Sequence, residues 1–443
     1  MKRLLVIFFA LLPLLTAAQP RDGGRGLNER LSNDLSRLPA MDAVVDSFMN
    51  VWSLRGVSLS VMRNDSLLYA RGYGQADGAR PMVPGTLLRM ASVSKLLTAV
   101  GIMKLQEKGR LVLDSPVFGP FGILTEYDDA ITDDNYYLIT VEHLLRHQGG
   151  FTQQGGDPMF STAALMREMG LSKAPSADAV TRHLLKRPLA YLPGTDQQYS
   201  NFGYLLLSMI IEKLGGEPYE TWMQREVLAP AGCTDFHIAG NFYADRFPGE
   251  TRYYMHKEAK PCSAFDGRGQ VERCYGANDI RGLSGAGAWI GSTPELARLV
   301  ASIDRIPERD DQLSPFSIYQ MTQRLSDEIF PLGWVDCTDE GEWTRTGSFS
   351  GTSALVKVYP DGECWILITN TSTWKGSRFS RETGALCKNL KSRFSGRLPR
   401  RNLFVNGFTF PRSGAGSLPH PAKSRRFPGT AAFVSAGERP TGK

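Results

Sequence analysis

Hydrophobic residues along the chain switch between two spacings, and the switches mark out the elements. Val57, Leu59 and Val61 alternate with polar neighbours, Arg63-Asn64-Asp65 supplies a turn, and residues 67–73 return, which predicts a β-hairpin. A helix is predicted just before it, over residues 41–54. After Pro84-Gly85 the spacing becomes helical: Leu96, Leu97, Val100 and Met103 share one face of a helix predicted over residues 92–108, with Gly109 ending it. From about residue 113 to residue 280 loops alternate with helices predicted at 141–146, 177–186, 202–214 and 219–228. A glycine-rich stretch, 282–291, precedes Ser292-Thr293-Pro294-Glu295, where Pro in the first turn and the Ser/Glu spacing of a capping box start another helix. The strand pattern then returns at 332–336, 353–359 and 364–369, the last two joined by Pro360-Asp361-Gly362. A final helix is predicted over 378–393.

Two strands early, three late and helices between predict an α/β (α+β) fold: one antiparallel sheet of five or more strands flanked by helices, interrupted by a mainly α-helical subdomain at about residues 113–280. Two segments fall outside this pattern. Residues 4–15 carry no charge, follow Met1-Lys2-Arg3 and lead into Thr16-Ala17-Ala18-Gln19, the layout of a cleavable secretory signal over residues 1–18. Such a run spans only ~18 Å as a helix, against a hydrocarbon core of ~30 Å, so no transmembrane anchor is expected after cleavage. Residues 19–39 are polar and are expected to form a linker, 40–394 the folded domain, and 395–443 a basic, disordered tail with at most a small hairpin at Asn406-Gly407. The expected location is periplasmic or extracellular.

The net charge of +6, from 51 Lys and Arg against 45 Asp and Glu, suggests an anionic partner until its position is considered. Eleven of the basic residues and a single acidic one lie between Lys391 and Lys443, which leaves about −6 on the body once Lys2 and Arg3 are also set aside. Charge therefore gives no support for nucleic-acid binding; the tail alone is a candidate for contact with anionic envelope polymers. Six cysteines (Cys233, Cys262, Cys274, Cys337, Cys364, Cys387) allow up to three disulfides in an exported chain, with Cys262 and Cys274 the nearest pair. A composition of 42% hydrophobic and 22% charged residues excludes a wholly disordered or collagen-like chain.

Three motifs carry candidate chemistry. In Ser92-Val93-Ser94-Lys95, residues i and i+3 at a helix start share a face, so Lys95 can reach the Ser92 hydroxyl where free N–H groups favour negative charge. Ser372-Thr373-Trp374-Lys375 repeats the spacing but follows a strand. Tyr199-Ser200-Asn201 opens the helix at residue 202; Asn201 is most simply a helix cap and Tyr199 a half-buried aromatic, while a phenol poised by a cation can relay protons and an amide can orient a carbonyl. Arg345-Thr346-Gly347-Ser348 ends a strand edge, where Gly347 admits substrate to the backbone and the Ser348 N–H can serve an oxyanion. Arg412-Ser413-Gly414 in the tail is a second match of this kind. His143 and His147 lie four apart on one helix face, but no glutamate stands between them and no third ligand is evident, so neither metal nor other cofactor is expected.

Taken in order, Ser92-x-x-Lys95, Tyr199-x-Asn201 and Arg345-Thr346-Gly347 resemble the serine β-lactamase and penicillin-binding protein superfamily, in particular the branch of class C β-lactamases, D-alanyl-D-alanine carboxypeptidases and related esterases. The resemblance covers about residues 40–390 and includes the segments 89–95, 139–147, 193–206 and 283–287. It implies Ser92 as acylated nucleophile, Lys95 and Tyr199 as its acid/base pair, Asn201 and residues 345–348 as substrate contacts, and the N–H groups of Ser92 and Ser348 as an oxyanion hole. The implied activity is hydrolysis of an amide or ester in a small-molecule or peptide substrate; the alternative is a catalytically weak penicillin- or peptidoglycan-binding protein of the same fold. Arg345 stands where the family usually has Lys or His. Arg keeps a positive charge suited to a substrate carboxylate but does not give up its proton at ordinary pH.

Overall fold

The computed structural model describes residues 26–405; the signal segment, the hairpin at Asn406-Gly407 and the Arg412 triplet lie outside the described residues. Its main sheet has seven strands: β1 (Gly56–Arg63), β2 (Ser66–Asp77), β3 (Arg80–Pro81), β4 (Asp336–Cys337), β5 (Trp343–Phe349), β6 (Thr352–Val358) and β7 (Glu363–Thr369). They lie in the order β3-β2-β1-β7-β6-β5-β4, with every neighbouring pair antiparallel. An early and a late strand meet at the centre, where Val57 stands opposite Thr369 and Arg63 opposite Glu363. Everything between β3 and β4 leaves this sheet. A second sheet there has three short strands, with Trp289–Gly291 between Leu88–Arg89 and His237–Ile238.

Period-two alternation gives the main sheet two buried faces rather than one. Val57, Leu59, Val61, Tyr69, Leu355, Trp365 and Leu367 pack against the helices Pro39–Trp52 and Ser380–Phe394, through Met41, Val45, Leu386 and Leu390. On the other face Ala70, Ala354, Val356, Ile366 and Ile368 join the larger core that holds the helices Ser94–Glu107, Asn201–Gly215 and Thr293–Val300. The polar positions that made β1 look half-solvated are buried as well: Ser58 and Ser60 have no exposed surface, and both hydroxyls reach Thr293 Oγ1 at 2.8 Å at the start of the Thr293–Val300 helix. Buried hydroxyls are tolerated here because each finds a partner.

Four expectations change. Residues 332–335 form no strand: Leu332 and Trp334 are buried by packing, Trp334 against Trp343 at 5.6 Å, and apart from the Val335 N–H, which donates to Thr344 O at 2.9 Å, pairing begins at Asp336. The Arg345 motif occupies the middle of β5 rather than a strand end. The six cysteines are all unpaired, so Cys262 and Cys274 form no staple. The linker and tail boundaries also move, because both contain apolar residues with a place to bury. Leu27 and Leu31 enter the core, the Asn33 side chain bonds Met82 O and the Gly72 N–H, and Ser36 Oγ accepts from the Ala70 N–H, so this strap lies along β2. At the other end Leu398, Leu403 and Phe404 are buried, and the Leu403 N–H donates to Leu67 O at 2.8 Å. Ser395 joins Arg63, Lys391 and the Trp365 ring N–H around the Glu363 carboxylate. Burial alone would raise Glu363; these donors outweigh it and hold the carboxyl at about 2.

Two predictions follow from this packing. A chain ending at Phe394 is expected to be less stable in urea unfolding than one ending at Val405, by several kcal/mol, since each buried side chain is worth about 1.5–3 kcal/mol. The second concerns Asp65, in the β1–β2 turn at φ 56°, whose buried carboxyl faces that of Asp304, with Glu308 and Asp311 close by. Burial first, and then the neighbouring like charges, push both carboxyls well above the ordinary range. The native state thus keeps protons that the unfolded chain releases, and stability is lost as pH rises toward neutrality and beyond. Asp65→Asn is expected to raise the Tm at pH 8 and to change it less at pH 5.

Candidate active site

Ser92 sits in a tight turn, Ala91–Val93, directly before the Ser94–Glu107 helix. Ala91 has φ 48°, a conformation that a residue with a Cβ adopts only when its surroundings enforce it. Those surroundings are the Trp289–Gly291 strand, since the Met90 N–H donates to Trp289 O at 3.0 Å and the Trp289 N–H donates to Ser94 Oγ at 3.1 Å. Ala91, Val93, Ser94 and Lys95 are buried, and Ser92 alone in this run is half-exposed. Its hydroxyl is therefore the one side chain of the motif that an incoming molecule can meet.

Lys95 has no exposed surface. Its ammonium donates to Asn201 Oδ1 and to Ala286 O, each at 2.6 Å, and approaches Ser92 Oγ at 3.5 Å, so its three donors point at three separate chain segments. Burial pushes the Lys95 pKa down; the Tyr199 phenol opposes this and the Arg345 charge adds to it. Asn201 is the first residue of the Asn201–Gly215 helix, not its cap: Ser200 Oγ accepts the Gly203 N–H at 3.1 Å and leaves the Asn201 amide free for Lys95. The same amide donates to Asp157 Oδ2 at 2.8 Å, which fixes which end faces the ammonium.

Tyr199 lies against Lys95, whose Nζ is 4.7 Å from the ring centroid, and accepts a hydrogen bond at Oη from Arg345 Nη2 at 3.1 Å. Burial by itself would raise the phenol. The Lys95 and Arg345 charges and the hydrogen bonds from Lys95 and Ser92 outweigh it and bring the pKa down to about 8. Arg345 is fully buried and also donates from Nε to Ser92 O at 2.8 Å. Gly347 brings β5 this close. A Cβ there would stand 2.3 Å from Met90 O and 2.9 Å from Ser92 N, contacts that only a glycine avoids. Thr346 and Ser348 alternate with these on the strand and are half-exposed, beyond the point where β4 stops pairing at Thr344.

Three neighbours carried no catalytic signal in the sequence. The buried His147, at φ 62°, lays its ring 4.2 Å from that of Tyr199, while its Nδ1 accepts the Ser200 N–H at 3.1 Å. Burial, with Lys95 and Arg345 nearby, holds this imidazole neutral, its pKa well below the usual value. His143, by contrast, closes the start of the Val141–Leu145 helix with Thr140 and faces elsewhere. Asp157 orients Asn201, and Gln153 donates to Tyr199 O. Asp157 also caps the Pro158–Phe160 turn, where its Oδ1 accepts the Met159 N–H at 2.9 Å, and an Asp directly before a Pro is the local pattern that marks such a cap. The competing Ser372–Lys375 pair lies outside the site: Lys375 pairs with Glu382, and Ser372 Oγ accepts the Gly351 N–H at 3.1 Å.

With this geometry in place, comparison with known proteins adds its own finding. The family described as Beta-lactamase matches residues 41–388. A putative D-alanyl-D-alanine carboxypeptidase of Escherichia coli O157:H7 is 26% identical over 372 residues, 78% of this chain and 80% of that one. Esterase EstB of Burkholderia gladioli is 31% identical over 210 residues, 46% of this chain and 52% of that protein, so this match spans about half of the esterase's length. Among solved structures, the D-amino acid amidase from Ochrobactrum anthropi SV3 complexed with L-phenylalanine amide aligns with a TM-score of 0.62 at 20% identity, over 80% of this chain and 98% of that one. The octameric penicillin-binding protein homologue from Pyrococcus abyssi aligns at 0.58 and 21%, over 79% of this chain and 77% of that one. At these identities the two structures show a shared fold. The family match takes in the whole of the sheet and all three motifs, and the chain belongs to the Beta-lactamase family.

Proposed function

We propose that the protein is an exported serine hydrolase that opens an ester or amide through an acyl-enzyme on Ser92. The observation that carries this reading is the half-exposed Ser92 hydroxyl lying 3.5 Å from the buried Lys95 ammonium, in a cluster that also holds a phenol with a pKa lowered to about 8. In this mechanism the Tyr199 phenolate, poised by Lys95, takes the Ser92 proton as Oγ attacks the carbonyl carbon. The N–H groups of Ser92 and Ser348 receive the developing oxyanion. The same proton then passes to the leaving oxygen or nitrogen as the old bond breaks, and a water, deprotonated by the same phenolate, releases the acyl group and regenerates Ser92. Asn201 steers both the ammonium and the substrate carbonyl. Export rests on the signal-like layout of residues 1–18.

A fluorescent fluorophosphonate or penicillin is expected to label Ser92, as read by peptide mapping, and Ser92→Ala to abolish the label and lower ester hydrolysis by about 10⁴-fold or more. Label that persists in Ser92→Ala, or maps elsewhere, overturns the assignment. Because the phenolate is the active form, kcat/KM is expected to rise with pH and to level off above about 8. Gly347→Ala, which forces β5 away from Ser92, is expected to cost activity well before it costs a measurable change in far-ultraviolet circular dichroism.

A further inference from the structure

The side chains around Ser92 have an unusual charge balance. Two cations, Lys95 and Arg345, are fully buried, and neither is bonded to a carboxylate: Lys95 reaches Ser92, Asn201 and Ala286, and Arg345 reaches Ser92 O and Tyr199 Oη. The carboxylate whose charge acts on Lys95, Asp157, is engaged by the Asn201 side-chain and backbone N–H groups. Tyr199 is thus the acid that answers both cations. Arg345 is spent on this task. Nε and Nη2 are both engaged, and Nη1, though without a partner, has no surface that a solvent-sized group can touch. A guanidinium grips a carboxylate through two parallel N–H groups on one open edge, and this one presents no such edge.

The residues that do reach the mouth point the same way. Phe160, 43% exposed, meets Phe349 edge-on at 5.6 Å, and Phe330 packs across Tyr199 at 6.0 Å, while Thr346 and Ser348 supply uncharged polar groups. The half-buried Asp157 beside Asn201 is an acidic side chain and would repel a carboxylate. We propose that Arg345 is a positioning residue for Tyr199 rather than the receptor for a substrate carboxylate, and that the site takes esters or amides with no negative charge beside the scissile bond. This deepens the hydrolase reading above and rests on it. It also reverses the expectation that Arg345 would select carboxylate-bearing substrates.

The test compares three esters, phenyl acetate, 3-carboxyphenyl acetate and monophenyl succinate, on the wild-type protein, Arg345→Met and Arg345→Lys, each across pH 6–10. The wild type is expected to hydrolyse phenyl acetate at least about tenfold better in kcat/KM than either carboxylate ester. Removing the Arg345 charge frees the phenol to hold its proton to higher pH, so Arg345→Met should lose about tenfold at pH 7, regain much of it by pH 10 and leave the ratio between esters unchanged. Arg345→Lys keeps the charge and should keep the wild-type pH limb; it carries the test if the Met variant does not fold. A wild type that prefers either carboxylate ester, with the preference lost in the variants and the pH limb unmoved, overturns the proposal while leaving Ser92 as nucleophile. Absence of both ester hydrolysis and Ser92 labelling in the wild type overturns the hydrolase reading itself, and this proposal with it.

Discussion

An ammonium group with no exposed surface must find in protein what it has given up in water. Isolated burial of such a charge costs several kcal/mol, and the cost is recovered only through well-placed acceptors. Lys95 finds them in the Ser92 hydroxyl, the Asn201 amide and the Ala286 carbonyl, which come from three segments separated by more than a hundred residues in one case and nearly two hundred in another. The position of the Asn201–Gly215 helix and of the glycine-rich turn at 281–286 follows from that demand. The turn bends through Ser284 at φ 43° to present the Ala286 carbonyl, a second strained residue beside the strained Ala91. Strain at both ends of one buried cation is the signature of a site that the rest of the fold holds in place.

The sheet supplies the other wall by proximity rather than by chemistry. β5 closes on the Ser92 turn because Gly347 has no side chain, and Arg345, two residues earlier on the same face, then threads between the turn and Tyr199. Distance and charge are coupled here. A strand held farther away would leave the guanidinium unable to touch both Ser92 O and the phenol, and the phenol would lose one of the charges that lower its pKa.

Much of this was legible in the amino-acid sequence. The period-two runs located β1, β2, β6 and β7, and the helical runs located the helices that carry Ser92–Lys95 and Asn201. The three motifs named Ser92, Lys95, Tyr199, Asn201 and Arg345, which the structure gathers into one cluster. What was not legible depends on contacts between distant segments. No local pattern marks Ser58 and Ser60 as buried, because their partner, Thr293, is more than two hundred residues away. Residues 332–335 have a strand's composition, but Leu332 and Trp334 are buried by packing and only the Val335 N–H reaches β5. The polar look of residues 27–38 and 395–405 hid a few apolar residues whose burial becomes visible only against β2 and the Thr293–Val300 helix. His147 read as a member of a histidine pair, and its burial against Tyr199 and Ser200, far along the chain, distinguishes it from His143.

The pairing of β1 with β7 has a consequence for the order of events during synthesis. Val57 meets Thr369 and Arg63 meets Glu363, so the centre of the sheet joins residues to partners made about three hundred positions later. Contacts of such long sequence separation form slowly and late, after the entropy of closing a very large loop has been met. The serine turn waits for the Trp289–Gly291 strand that holds it, and Arg345 and Gly347 come later still in the sequence. Until then the Ser92 turn has neither the close approach of Gly347 nor the Arg345 hydrogen bond to its carbonyl. The cluster around Lys95 and Tyr199 is therefore incomplete in a growing chain and comes together only when segments far apart in the sequence have met.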